Sequence, residues 1–290
     1  MKQFSLALMA IFTLLSFTAC DDDSDDGSMT DPTFGSIEIE FDNVIGSNDD
    51  QRGFGLSEVG STDYSYSNGM EQNFNVTLLR YFVSNVRLEG EDGLVYEDET
   101  LVDAVNSKGY YLIDEADGSS QTVTLENVPT GEYDRIVFTL GVDSSGVLEG
   151  AAGGVLDPAT NHMFWNWNAG YVALKFEGQS DVSVGGAFGE TVDQDTPNGI
   201  VYHLGGWKEV DGAPAFTNNV REISLDFDSH AHVAAEEVPR VHLEFDVESI
   251  FKGPGGDIDF TGNNNVHRPV DGSNAIDNVV AAFRFDHIHE

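Results

Sequence analysis

Eight histidines are the residues of this sequence best suited to chemistry: His162, His203, His230, His232, His242, His267, His287 and His289. A neutral imidazole binds copper or zinc near pH 7 and needs no redox protection. His230-Ala231-His232 and His287-Ile288-His289 are i, i+2 pairs. In an extended strand each pair presents both rings to one face, and a solvated polar face is the plainer explanation of either. His242 alternates with Val241 and Leu243 beside Arg240 and Glu244, a pattern that sends it to water. His267 falls in a polar loop. His203 shares a face with Val201 in a short apolar strand ending Leu204-Gly205-Gly206-Trp207, an ordinary setting for a core imidazole bonded to a carbonyl. His162 opens the aromatic run from Met163 to Tyr171, which reads as core plus a corner.

Other chemistries find no support. The sequence has no nucleophile elbow, no phosphate-cradling glycine loop and no HExxH. With 51 acidic residues, paired carboxylates occur everywhere and carry no weight. The net charge of −38 repels phosphate backbones and anionic lipid surfaces, which excludes nucleic acid as a partner. Calcium is a second candidate cation, because Asp143-Ser144-Ser145-Gly146 and Asp257-Ile258-Asp259 with Asn263–Asn265 offer loop oxygens. Neither has EF-hand spacing, and ordinary turns account for both.

The elements that must position these side chains are strands. Short period-two alternation bounded by Gly, Asn, Asp and Pro recurs along the chain. Ile37, Ile39 and Phe41 alternate in a first strand. Phe74, Val76 and Leu78 alternate, Leu79 to Val83 then runs on, apolar but for Arg80, and Val86 and Leu88 follow, a phase change that predicts a bulge or bend. Further strands are expected at 110–113, 122–125, 135–142, 170–176, 199–204, 221–227, 240–247 and 279–285. Such short strands with 31 glycines predict an all-β fold: a Greek-key, immunoglobulin-like β-sandwich with long loops. Tyr133, after Val128-Pro129-Thr130-Gly131-Glu132, is expected to cap a corner by bonding backbone. No linker, repeat or long amphipathic helix interrupts the pattern.

Residues 1–19 read as a lipoprotein signal peptide: Lys2, then apolar residues to Ser16-Phe17-Thr18-Ala19 immediately before Cys20, the single cysteine. Cys20 is the expected lipidation site, which uses up a thiol that could form no internal disulfide. Phe17 stands where such signals usually carry Leu. The acidic run Asp21-Asp22-Asp23-Ser24-Asp25-Asp26 opens an extended tether over 20–34, and one domain is expected over 35–290. The run resembles export signals of Bacteroidetes lipoproteins, so the expected location is the outer membrane with exposure at the cell surface, and the membrane is reached only through the lipid.

Several motifs in series resemble one family. They are Leu79-Arg80-Tyr81-Phe82-Val83-Ser84-Asn85-Val86, Tyr111-Leu112-Ile113-Asp114, Gly131-Glu132-Tyr133 and Leu140-Gly141-Val142-Asp143. More specific are Met163-Phe164-Trp165-Asn166-Trp167-Asn168-Ala169-Gly170-Tyr171, Tyr202-His203-Leu204-Gly205-Gly206 and Ile276-Asp277-Asn278. Together the chain is similar to the MbnP-like copper-binding proteins, secreted β-sandwiches. The resemblance implies copper held by histidines outside the cytoplasm, and in some relatives a tryptophan oxidised to kynurenine by a di-haem cytochrome c peroxidase-like partner. His203 falls on the family's His-Leu-Gly motif, while Asp143, Trp165, Trp167, Asn168, Gly170 and Tyr171 belong to its motifs. Relatives often carry an aromatic-x-His arrangement on the first strand, where this chain has Phe41-Asp42-Asn43; a kynurenine cannot arise there.

The expected metal ligands are therefore His203 with His162 or the His230/His232 pair. Met29, Met70 and Met163 are the thioethers after the signal, too few for a sulfur-based Cu(I) shuttle, which leaves nitrogen ligation. The leading expectation is a lipid-anchored copper-binding protein for acquisition, storage or delivery, without turnover. A TonB-dependent transporter is a second candidate partner. The alternative is a metal-free surface sandwich that binds a protein or polysaccharide, a reading that Asn43 favours. An oxidase built on the copper site ranks third, since no substrate pocket is legible.

Overall fold

Alternating apolar residues give each strand one face that must be covered, and among the described residues the strands of two main sheets cover one another, with a two-stranded ribbon apart from them. The computed structural model describes residues 33–46, 52–144, 146, 152–165, 169–207 and 217–290. The signal segment, Cys20, nearly all of the tether, Trp167 and Asn168 lie outside the described residues. The strands used below are β1 (Phe34–Ile45), β2 (Asn73–Gly90), β3 (Tyr110–Asp114), β4 (Thr122–Pro129), β5 (Gly131–Leu140) and β6 (Gly170–Ser180). They continue with β7 (Gly199–Gly205), β8 (Arg221–Val233), β9 (Arg240–Asp246), β10 (Asn265–Val266) and β11 (Phe283–His289). Two short helices, α1 (Pro158–Asn161) and α2 (Ser273–Ala282), sit between them.

The smaller sheet has the order β11-β9-β1, with β4 on the far side of β1. β1 runs parallel to β9, with Glu40 opposite His242, and β9 runs antiparallel to β11. The larger sheet has the order β8-β5-β2-β6-β7-β10, and β3 also pairs with β2. Ile39 and Phe41 of β1 and Leu243 and Phe245 of β9 share one core with Leu79 and Tyr81 of β2, Phe176 of β6 and Tyr202 of β7. Each such side chain contributes about 1.5–3 kcal/mol on burial. Phe251 meets Phe176, Tyr202 and Phe260 edge to face with centroids 5.0, 5.2 and 4.8 Å apart, the arrangement that ring quadrupoles favour. The fold is thus an all-β sandwich, as the alternation predicts.

The phase change in β2 is a bulge. Val137 faces Arg87 but Thr139 faces Ser84, so one extra residue sits in β2, and Asn85 takes the left-handed conformation (φ 50°). Tyr133 caps its corner, its hydroxyl donating to Pro129 O at 2.8 Å. One expected strand is corrected: 279–285 begins as helix, because α2 runs to Ala282 and only Phe283 onward is strand. Ala275, Ile276, Val279 and Ala282 recur at three- and four-residue spacing and form the buried face of α2. The adjacent β-branched Val279 and Val280 disguise that period as a strand.

Phe176→Ala removes the ring at the centre of the aromatic cluster and should cost about 3–5 kcal/mol in urea unfolding. A loss below about 1 kcal/mol would show that the cluster closes over the gap.

Candidate metal centre

The outward faces of β6 and β7 carry Lys175, Glu177 and His203, with Lys175 opposite His203 across the strand pair. A carboxylate on a sheet face ordinarily looks into water, yet Glu177 is fully buried. The segment after Phe188 folds over it and supplies donors. Glu190 N–H reaches both carboxylate oxygens (2.7 and 2.8 Å), Thr191 N–H and Oγ1 reach one (2.6 and 2.8 Å), and Val192 N–H is 3.3 Å away. His203 Nε2 completes the set at 2.8 Å. Burial pushes the Glu177 carboxyl up, but the His203 bond and the Glu190 and Thr191 amides outweigh it and hold the group at about 2. An ionised carboxylate only accepts, so Nε2 of His203 carries the proton and Nδ1 keeps the lone pair. Burial holds His203 below the usual imidazole range despite the carboxylate, so the ring is neutral.

A second ring arrives through β10. Val266 pairs with Tyr202 in parallel register, which carries the next residue, His267, alongside His203. The two imidazoles meet edge on, with centroids 4.5 Å apart at 81°. Phe188 stacks on His267 at 4.7 Å and 17°. Burial, and then the neighbouring His203, push His267 down to about 4. Its Nε2 is buried and has no hydrogen-bond partner among the described residues. A buried imidazole nitrogen without a partner is costly unless a ligand satisfies it.

His162 lies at the rim of the same cleft, with its side chain 56% exposed. Asp157 caps α1 by accepting from Ala159 N–H, Pro158 occupies the first turn, and His162 ends the helix in the left-handed conformation (φ 55°). The Lys175 ammonium donates to the freed His162 carbonyl (2.6 Å) and to Glu190 (3.1 Å), while His162 Nδ1 lies 3.8 Å from Glu190. His162, His203 and His267 line one cleft of about 530 Å³, walled by Phe164, Trp165 and Phe188. Around it Glu177, Glu190 and Asp114 face Lys175 and Arg80, three carboxylates against two cations. Neutral nitrogen donors in a site of slight negative charge suit a soft or borderline cation.

Of the ligands expected from sequence, His203 and His162 come together in this cleft and His230 and His232 do not. The latter pair shares an exposed face of β8, as its spacing predicts. That strand stands four strand intervals from β7, roughly 19 Å at about 4.8 Å each. There His230 pairs with Asp134, and the His232 amide donates to Glu290. His267 was missed by the sequence reading, because nothing local announces that a polar loop will register beside His203.

The motif residues serve the frame. Trp165 is a cleft wall, Gly170 opposite it needs φ +93°, and the Tyr171 hydroxyl donates to Leu156 O at 2.6 Å. Asp143 accepts from Asn85 (3.0 Å), and Asp259 closes a turn by accepting from Thr261 (2.7 and 2.9 Å) and from Gln72 (2.7 Å). Asn43 lies on the inner face of the smaller sheet, donating to Glu115 (2.8 Å) and accepting from the Tyr81 hydroxyl (3.1 Å).

A family model described as MbnP matches residues 34–268. Among solved structures, MbnP from Methylosinus trichosporium aligns at 16% identity with a TM-score of 0.48, over 76% of this chain and 78% of that one. No curated protein sequence matches the chain.

Glu177→Gln places an amide against backbone N–H groups and should destabilise the metal-free protein at pH 7 by about 2–4 kcal/mol. Because the folded carboxyl titrates near 2 and the ordinary value is 4.5, its contribution is present above about 4.5 and is lost as pH falls towards 2. Unfolding curves of the two proteins should therefore converge over that window, and a pH-independent gap would contradict the assignment.

Proposed function

The chain belongs to the MbnP family, and from that premise we propose an extracytoplasmic, lipid-anchored copper-binding protein that acquires, stores or delivers the ion without turnover. One observation carries the reading: two neutral imidazoles, His203 and His267, meet at a cleft, one of them with a buried nitrogen that has no partner among the described residues. His203 Nδ1 and His267 Nε2 are the nitrogens that would hold copper, and His162 lines the same cleft. Bound copper supplies an ion with high affinity for imidazole and a one-electron redox couple.

The chain's own residues prepare that site. Glu177 fixes the tautomer of His203 and raises the basicity of its free nitrogen, as a carboxylate behind a metal-ligating histidine does. Phe164, Trp165 and Phe188 narrow access by water. Lys175 is held on Glu190 and the His162 carbonyl, which partly neutralises its charge. Lipidation of Cys20, outer-membrane attachment with surface exposure, and a di-haem peroxidase-like enzyme or TonB-dependent transporter as partner belong to the same proposal. They rest on the signal sequence and on the family.

In dialysed protein, His203→Ala and His267→Ala should each lower the copper-to-protein ratio measured by mass spectrometry, and the double variant should lose the cleft equivalent. Unchanged copper in the double variant would overturn the reading and leave a metal-free interaction module. Cys20→Ser should move the protein from the detergent phase to the aqueous phase in Triton X-114 partitioning; retention in the detergent phase would rule out the anchor.

A further inference from the structure

A second group of imidazoles lies on the outer face of the smaller sheet, away from the cleft. His242 of β9 stands directly opposite His287 of β11, and His289 follows two residues on, on the same face. Glu40 of β1 lies opposite His242 on its other side, so Glu40, His242 and His287 form one row across three adjacent strands. The rings of His242 and His287 stack at 4.3 Å, and His289 stands edge on to both, at 5.0 and 4.6 Å. One nitrogen from each of the three can be chosen so that all lie within 4.8 Å of one another.

The hydrogen bonds aim these nitrogens inward. Asp286 Oδ2 lies 2.6 Å from His287 Nδ1, and a carboxylate there keeps the proton on Nδ1 and the lone pair on Nε2. Asp286 holds this position because it is the extra residue where the β9–β11 register shifts, and bulges re-aim side chains in this way. His287 Nε2 then lies 3.0 Å from His289 Nε2. Two lone pairs cannot face each other that closely, so either a proton or a cation stands between them. Metal–imidazole bonds of about 2.0–2.1 Å place neighbouring ligand nitrogens roughly 2.9–3.4 Å apart, the separation found here. His242 Nε2 is buried without a hydrogen-bond partner among the described residues, with Glu40 Oε2 at 3.5 Å.

We propose that His242, His287 and His289, with Glu40 beside them, form a second metal site for a divalent first-row transition ion of the Zn²⁺ and Cu²⁺ class. Imidazole with carboxylate selects that class over Ca²⁺ and Mg²⁺, which prefer oxygen throughout, and over Cu⁺, which prefers sulfur. The cation displaces the proton shared by His287 and His289. Arg240 beside the row is tied to Glu38 and Glu40 (2.6 and 3.3 Å), and Asp42 and Asp286 add further negative charge. The site is distinct from the cleft. Val241 and Leu243 flank His242 and point into the core, as Tyr202 and Leu204 beside His203 do, so the two clusters lie on opposite outer faces of the sandwich. His287 and His289 also fall outside the matched residues 34–268, and the proposal does not rest on the copper reading.

The test uses the full-length chain stripped of metal, carrying His203→Ala and His267→Ala so that the cleft contributes nothing, and titrated with Zn²⁺ by calorimetry. One equivalent should bind. Adding His287→Ala or His289→Ala should weaken it at least tenfold, and adding both should abolish it, with melting curves unchanged because both rings are exposed. Undiminished zinc binding in the variant lacking both rings would overturn the proposal. Should a variant melt early, ring NMR signals of the parent protein decide: Zn²⁺ should shift those of His242, His287 and His289 together. Shifts that leave them in place would overturn it equally.

Discussion

The buried carboxylate of Glu177 is the constraint on which the cleft depends. A carboxyl group without solvent stays ionised only when donors surround it. Glu177 takes them from three consecutive backbone amides, a hydroxyl and an imidazole. Those bonds pin the covering segment to β6, supply the wall that carries Phe188, and settle which nitrogen of His203 is free. The fit leaves no slack, since a Cβ at Gly189 would lie 2.2 Å from Glu177 Oε1. Glycine is required there for close approach rather than for an unusual backbone angle.

The sandwich explains why such a site can exist on an outer face. β6 is buried along its whole length on both sides, because its inner residues meet the other sheet while its outer residues lie under the covering segment and the aromatic corner after α1. Polar groups placed there lose water and must find partners, which they do in Lys175, Glu177, Glu190 and His203. The first strand behaves differently. Position 43 faces inward, where Asn43, Tyr81 and Glu115 satisfy one another, and burial, the largest effect, raises the Glu115 carboxyl. That arrangement fills position 43 with a satisfied polar group, so the imidazole clusters among the described residues lie on the outer faces of the two sheets.

Most of the fold was legible because period-two alternation is local. The strands, the bulge near Asn85 and the Tyr133 corner each follow from residues within a few positions. α2 was not legible, because its short apolar face coincides with a β-branched pair. The cleft was legible only in part. His203 and His162 stand out through their apolar and aromatic neighbours, whereas His267 becomes a partner only through a parallel pairing between residues more than sixty positions apart. The same holds for His242, which the sequence sends to water and the structure tucks beneath His287. Its partner on β1 lies some two hundred positions away, and its ring neighbours depend on a bulge at Asp286. Spacing revealed which pairs share a face, and it could not reveal which faces meet.

The −38 charge looks at first like the feature that would govern cation binding, but its reach is short. At physiological salt, exposed charges farther apart than about 8 Å are largely screened from one another. The acidic surface therefore raises the local concentration of any cation and the frequency of encounter, and it discriminates poorly among ions of equal charge. Retention must be decided within a few ångströms, by donor type. In both clusters the carboxylates are turned to a second task, orienting imidazoles by hydrogen bonding, as Glu177 does for His203 and Asp286 for His287. A carboxylate spent in this way is a weaker competitor for calcium or magnesium and a better support for nitrogen ligation. Were either cluster to take an ion, its preference for transition metals would follow from how the acids are bonded rather than from how many there are.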